Sequence, residues 1–138
     1  MQPISFESLD LEATTQEGID GAHWLGSFPF NPERPGETVE DSDEYTLVYN
    51  ELEPGARIGT HRDSVDELVF VIEGTVEATV DGESVTATAG ELAVVPAEAP
   101  HSVRNTGSAT AELLGFFATG DVDSTFEKNP VPAEQDTE

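Results

Sequence analysis

The sequence predicts an all-β protein, a sandwich or a closed barrel, and three observations carry that prediction. Its apolar residues gather in short runs punctuated by Gly, Pro and Asp-Gly; one pair of runs alternates polar and apolar residues; and nothing between residues 44 and 118 repeats like an amphipathic helix of useful length. With 138 residues the chain has room for one core. A domain of this size buries roughly two-thirds of its unfolded surface, so it needs no disulfide or structural zinc.

Residues 1–43 show little periodicity and read as an arm. His23-Trp24-Leu25-Gly26 leads into Phe28-Pro29-Phe30, and an acidic stretch from Glu37 to Glu44 follows, best read as solvated surface. Trp24, Phe28 and Phe30 need burial that so few apolar neighbours cannot supply, so the arm is expected to pack on the main body or on a partner subunit. That packing is the expected role of His23-Trp24 as well. The main body spans 44–120. Tyr45–Tyr49, Leu68–Ile72 and Leu113–Phe117 are rich in aromatic, branched and aliphatic residues and predict buried strands. Thr75–Val80 alternates, Asp81-Gly82 supplies a tight turn, and Val85–Thr88 resumes the alternation, which predicts a hairpin. Gly74, Gly90 and Pro96 mark further boundaries. Residues 121–138 form an acidic tail, and its part from Asn129 to Glu138, polar and broken by Pro130 and Pro132, is expected to fray.

Charge narrows the partners. Asp and Glu number 29 against 5 Lys and Arg, a formal net charge of -24. Binding a phosphate backbone relies on Lys and Arg, so no nucleic-acid partner is expected. A folded domain with this charge repels itself at low salt. The scarcity of Lys together with the abundance of acid resembles the composition of cytosolic proteins from extreme halophiles, where concentrated salt screens the repulsion. The chain has no Cys, which removes thiol catalysis, Fe–S clusters and Cys-ligated zinc. Met1 to Asp10 has no basic start and no apolar run, and no stretch approaches the roughly 18 apolar residues of a membrane span. A cytoplasmic protein with no membrane partner is expected.

Two segments carry the chemistry. In the first, Gly55 is followed after five residues by His61, then Arg62 and Asp63, then after three residues by Glu67 and after six more by Gly74. In the second, Gly90 is followed after five residues by Pro96, Ala97 and Glu98, after two by His101, and after three by Asn105. Side chains two apart on a strand share a face, so His61 and Asp63 can converge, and a bend in the polar stretch 62–66 would bring Glu67 to the same point. His101 must arrive from a strand distant in sequence. Two imidazoles and two carboxylates form a donor set suited to a divalent metal.

These segments resemble the two signature motifs of the cupin superfamily, and every spacing agrees. The 15 residues from Thr75 to Ala89 between them resemble the short separation of small microbial cupins. The resemblance implies a jelly-roll barrel, a double-stranded β-helix, with one divalent metal held by His61, Asp63, Glu67 and His101. There are two departures. Asp63 stands where the family has its second His, either ligating through oxygen, which favours Fe(II) or Mn(II) over Zn(II) or Ni(II), or leaving that position vacant. Glu98 stands where the second motif has Gly; a left-handed turn there would cost about 1 kcal/mol, so a different turn is expected. Asn105 is expected to be a structural hydrogen bonder.

The resemblance implies either a metal-dependent enzyme of the dioxygenase, isomerase, decarboxylase or lyase type or a non-catalytic binding module with a structural metal or none. In the first, a small organic molecule enters a dry cavity lined by Val69, Val71 and Val103. In Glu67–Ile72 both faces are apolar and only one can line a barrel, so the other is expected to meet a second subunit in a homodimer.

Overall fold

The computed structural model describes residues 5–29 and 44–133. The acidic stretch 37–43 and Phe30 lie outside them. Twelve strands are described: β1 (Glu12–Thr15), β2 (His23–Ser27), β3 (Thr46–Leu52), β4 (Arg57–Asp63), β5 (Glu67–Glu73), β6 (Thr75–Val80), β7 (Glu83–Thr88), β8 (Leu92–Val95), β9 (His101–Asn105), β10 (Ala111–Phe117), β11 (Ser124–Phe126) and β12 (Val131–Pro132). Every pairing among them is antiparallel. They form a seven-stranded sheet in the order β12-β1-β2-β3-β10-β5-β8 and a five-stranded sheet in the order β11-β4-β9-β6-β7. This is the jelly-roll architecture expected from the sequence. The described residues contain no helix long and apolar enough to cross a membrane.

Alternation along the strands builds the space between the sheets. On β10, Ala111, Leu113, Gly115 and Phe117 are buried while Glu112, Leu114 and Phe116 are only half-buried. Leu52, Ala56, Ile58, Val71, Val76, Ala111 and Leu113 make the core cluster, so both sheets contribute to one interior. The hairpin runs as predicted. β6 and β7 pair from Thr75↔Thr88 to Val80↔Glu83, with φ of 51° at Asp81 and 82° at Gly82, the double left-handed pair of a tight two-residue turn.

The arm does more than pack. β1 and β2 form a hairpin that joins the seven-stranded sheet through β2 and β3, with Leu25 opposite Glu51 and Ser27 opposite Tyr49. Outside that sheet, Phe6 stacks on Tyr49 with ring centroids 4.6 Å apart. His23 is exposed, whereas Trp24 packs against the core. The tail is paired: β11 pairs with β4, and β12 pairs with β1, so residues 131–132 are a strand where fraying is expected. Edge strands β4 and β1 offered unpaired backbone groups, and the tail takes them up.

Asn105 is wholly structural. Its Nδ2 donates to the carbonyls of Leu52 and Ala109, both at 2.8 Å, and its Oδ1 accepts from the Gly107 amide.

Candidate metal centre

His61 and Asp63 both lie on β4, two residues apart and on one face, as the sequence predicts. His101 opens β9, where it is the direct cross-strand partner of His61. A bulge makes this register possible. Ile58 pairs with Val103 and His61 with His101, so three steps along β4 match two along β9, and both Ile58 and His61 face the interior despite their odd separation. The backbone groups freed at the bulge are satisfied locally. The Gly59 amide donates to Gln16 Oε1 at 2.8 Å, and the Gly59 carbonyl accepts from His61 Nδ1 at 2.9 Å. Gln16 is buried and its Nε2 donates to the Lys128 carbonyl at 2.7 Å, tying arm, bulge and tail together.

His101 repeats the arrangement, with Nδ1 donating to the Ala99 carbonyl at 2.9 Å. A carbonyl only accepts, so each Nδ1 carries the proton and each Nε2 presents a lone pair to the interior in the neutral ring. His61 Nε2 lies 3.9 Å and His101 Nε2 lies 3.2 Å from Asp63 Oδ2. One donor atom from each of His61, Asp63 and His101 falls within 4.8 Å of the others. Glu67 stands beside this trio: its Oε1 is 3.6 Å from His101 Nε2. Glu67 begins β5 in the opposite sheet, so the bend expected between Asp63 and Glu67 is where the chain crosses between sheets.

Two observations bear on what the group can hold. Asp63 Oδ2 and His101 Nε2 are buried and face each other at 3.2 Å with no other hydrogen-bond partner, while Asp63 Oδ1 is taken by the Ser124 hydroxyl at 2.6 Å. Such a buried pair is satisfied only while a proton or a metal ion is shared between its two atoms, and imidazole nitrogen with carboxylate oxygen is a metal-ligating set. The residues present therefore fit a divalent ion. The electrostatics agree. Burial and the neighbouring His101 hold the His61 pKa below its ordinary value. Burial also disfavours charge on His101, but the Asp63 and Glu67 carboxylates and the Ala99 carbonyl outweigh it and push its pKa up to about 10. Burial works to raise Asp63 too, yet His101 and Ser124 bring it below the usual value, whereas burial leaves Glu67 above its own.

The turn before His101 differs from expectation. Glu98 adopts φ of 64°, so the left-handed conformation is kept despite the loss of Gly. Its amide donates to the Asp63 carbonyl at 2.8 Å, which pins the turn to β4 and offsets a strain of about 1 kcal/mol.

Three contributors escaped the sequence reading. Ser124 and Phe126 come from the three-residue β11, too short to show periodicity; Phe126 stacks on His61 with centroids 4.5 Å apart. Gly115 on β10 leaves space for Glu67, because a Cβ there would collide with Glu67 Oε2. The group opens onto a cavity of about 460 Å³ whose walls include the expected Val69, Val71 and Val103 together with Trp24 and Phe28 from the arm.

A two-sheet jelly roll with imidazoles and carboxylates gathered inside it defines a cupin-type barrel. Residues 48–117, half of the chain, match the Cupin_2 domain family, and the chain belongs to that family. It is 33% identical over 64 residues to the protein CurC of Streptomyces cyaneus, described as a polyketide synthase, a match covering 46% of this chain and 42% of that protein. The chain thus spans less than half the length of the curated relative it matches. Among solved structures it is similar to the polyketide cyclase RemF of Streptomyces resistomycificus, with TM-score 0.72, 15% identity, and 92% and 85% of the two chains covered. It is similar also to oxalate oxidase in complex with the substrate analogue glycolate, with TM-score 0.65, 18% identity, and 80% and 57% covered. Oxalate decarboxylase OxdC of Bacillus subtilis superposes with TM-score 0.63 at 22% identity, covering 81% of this chain and 29% of that one. At these identities the likeness is one of fold.

Proposed function

We propose that this cupin is a metal-dependent enzyme acting on a small organic molecule within its barrel. The observation that carries the proposal is the convergence of His61, Asp63 and His101, one donor atom from each within 4.8 Å of the others, beside a largely apolar cavity. His61, Asp63 and His101 would hold the ion, with Glu67 as the fourth ligand from the opposite sheet. A divalent ion bound there supplies a Lewis acid for an oxygen of the substrate. The chain's own residues supply the rest. The two Nδ1 hydrogen bonds orient the imidazoles, Ser124 leaves Asp63 one free oxygen, and apolar walls keep water from the reacting molecule.

Two carboxylates beside two imidazoles make a hard donor set, which favours Fe(II) or Mn(II) over Zn(II) or Ni(II). One of the similar structures, the B. subtilis oxalate decarboxylase, is described with Mn(II) centres. The reaction belongs to the dioxygenase, isomerase, decarboxylase or lyase group. Self-association is part of the proposal. Leu68, Phe70, Leu92, Val94 and Phe116 lie on the outward side of the seven-stranded sheet and carry no charge, so two highly acidic copies can meet there with least repulsion.

The test is elemental analysis of untagged protein, followed by dioxygen uptake and product analysis on a panel of small neutral and acidic molecules. About one redox-active ion per chain with turnover is expected. Stoichiometric ligand binding by metal-free protein, with no turnover after Fe(II) or Mn(II) is supplied, would make it a binding module instead. Light scattering in molar salt should give the mass of a dimer, and a monomer mass removes that part of the proposal.

A further inference from the structure

The cavity's charges point to what it admits. Among the described residues lining it there is no Lys and no Arg, while the buried carboxylates Asp63 and Glu67 stand inside it and the exposed Glu12 and Glu91 lie at its margin. Of the chain's five cationic residues, Arg57, Arg62, Arg104 and Lys128 lie elsewhere in the fold and Arg34 falls outside the described residues. An anion entering such a space loses its hydration and finds no fixed cation to replace it. The imidazole of His101 is already engaged there, its Nε2 3.2 Å from Asp63 and 3.6 Å from Glu67.

A bound metal does not reverse this. Carboxylates at positions 63 and 67 cancel the charge of a divalent ion, whereas a His at position 63 would leave one positive charge at the centre. The Asp63 departure from the cupin motif therefore removes attraction for a small carboxylate at the place where it would otherwise be strongest. Meanwhile the walls are apolar and partly aromatic: Trp24, Phe28, Val71, Val103, Phe117 and Phe126. The volume of about 460 Å³ lies in the range of sites for larger organic molecules, well beyond the needs of a two-carbon acid, and the aromatic walls suit a ring.

We infer that the barrel selects an uncharged, predominantly apolar, ring-bearing molecule and discriminates against small carboxylates. The inference deepens the enzyme reading above and rests on the same cavity being the reactive site. Trp24, the chain's one Trp, lines the cavity and reports on occupancy.

The experiment compares naphthalene-2-carboxamide with 2-naphthoate, which share a ring system and differ in charge, and adds oxalate as a small dianion. Each is titrated calorimetrically into full-length protein, metal-free and Mn(II)-loaded, in molar salt, with Trp24 emission followed in parallel. The amide should bind at least about tenfold more tightly than the naphthoate in both forms and change the emission, and oxalate should show no binding. Metal-loaded Asp63→His should then gain at least about tenfold in oxalate affinity. The inference is overturned if the amide fails to bind, if either carboxylate binds as tightly, or if the loaded Asp63→His variant shows no gain. Should Mn(II) fail to bind while the metal-free protein keeps its preference for the amide, the metal-enzyme reading falls and this one stands.

Discussion

Ser124 Oγ donates a 2.6 Å hydrogen bond to Asp63 Oδ1, so a residue of the tail strand β11 orients the carboxylate that stands in place of a motif histidine. An imidazole in the motif needs only a backbone carbonyl to fix its ring, as at His61 and His101. A carboxylate has two equivalent oxygens, and engaging one of them decides which is offered to the interior.

Removing that hydroxyl should loosen the site more than the fold. Ser124→Ala is expected to weaken Mn(II) affinity about 10- to 100-fold with a small stability loss, and Ser124→Thr should restore it. Calorimetric titration alongside thermal unfolding checks this. Equal affinities in wild type and Ser124→Ala would show that the hydrogen bond does not matter to the site.

Gly115 offers a test from the other sheet. A Cβ there would collide with Glu67 Oε2 and come within 2.8 Å of Val48 Cγ1. Gly115→Ala should destabilise by about 1–3 kcal/mol through overpacking and displace Glu67, with a corresponding loss of metal affinity. A variant with both quantities unchanged would remove Glu67 from the ligand set.

His101 sets the pH dependence. Its pKa in the folded, metal-free protein stands at about 10 against 6.5 for the free group. The stability it contributes is therefore fully present below pH 6.5 and lost as pH rises through about 10. His61, whose pKa is lowered, contributes with the opposite sign, losing stability as pH falls below its ordinary value. Because a metal must displace the His101 proton, Zn(II) affinity should climb by up to about tenfold per pH unit between pH 7 and 9, with proton release on binding. NMR titration of the imidazoles and calorimetry in buffers of different ionisation enthalpy provide the measurements; a flat affinity profile contradicts the assignment.

Salt should govern stability across the whole molecule. With a net charge of -24, lengthening the Debye distance from roughly 3 Å at 1 M to about 30 Å at 0.01 M lets distant carboxylates repel one another. The unfolding midpoint should fall steadily as NaCl is withdrawn. A midpoint indifferent to salt would sink the halophile reading.

Much of this was legible in the sequence because it depends on period and spacing. Alternation along Thr75–Val80, the Asp81-Gly82 turn, and the His61/Asp63 pair on one strand face are local consequences of a two-residue repeat, and the motif spacings carried the barrel with them. What needed the tertiary structure was everything contributed across sheets or by segments too short for periodicity. The pairing of Ser124 with Asp63, the stacking of Phe126 on His61, the Gly115 space for Glu67 and the Trp24 wall of the cavity all join residues remote along the chain. The left-handed Glu98 and the paired tail are of the same kind: each runs against its local preference because closure onto β4 or onto the sheet edge outweighs that preference, and only the folded backbone contains those partners.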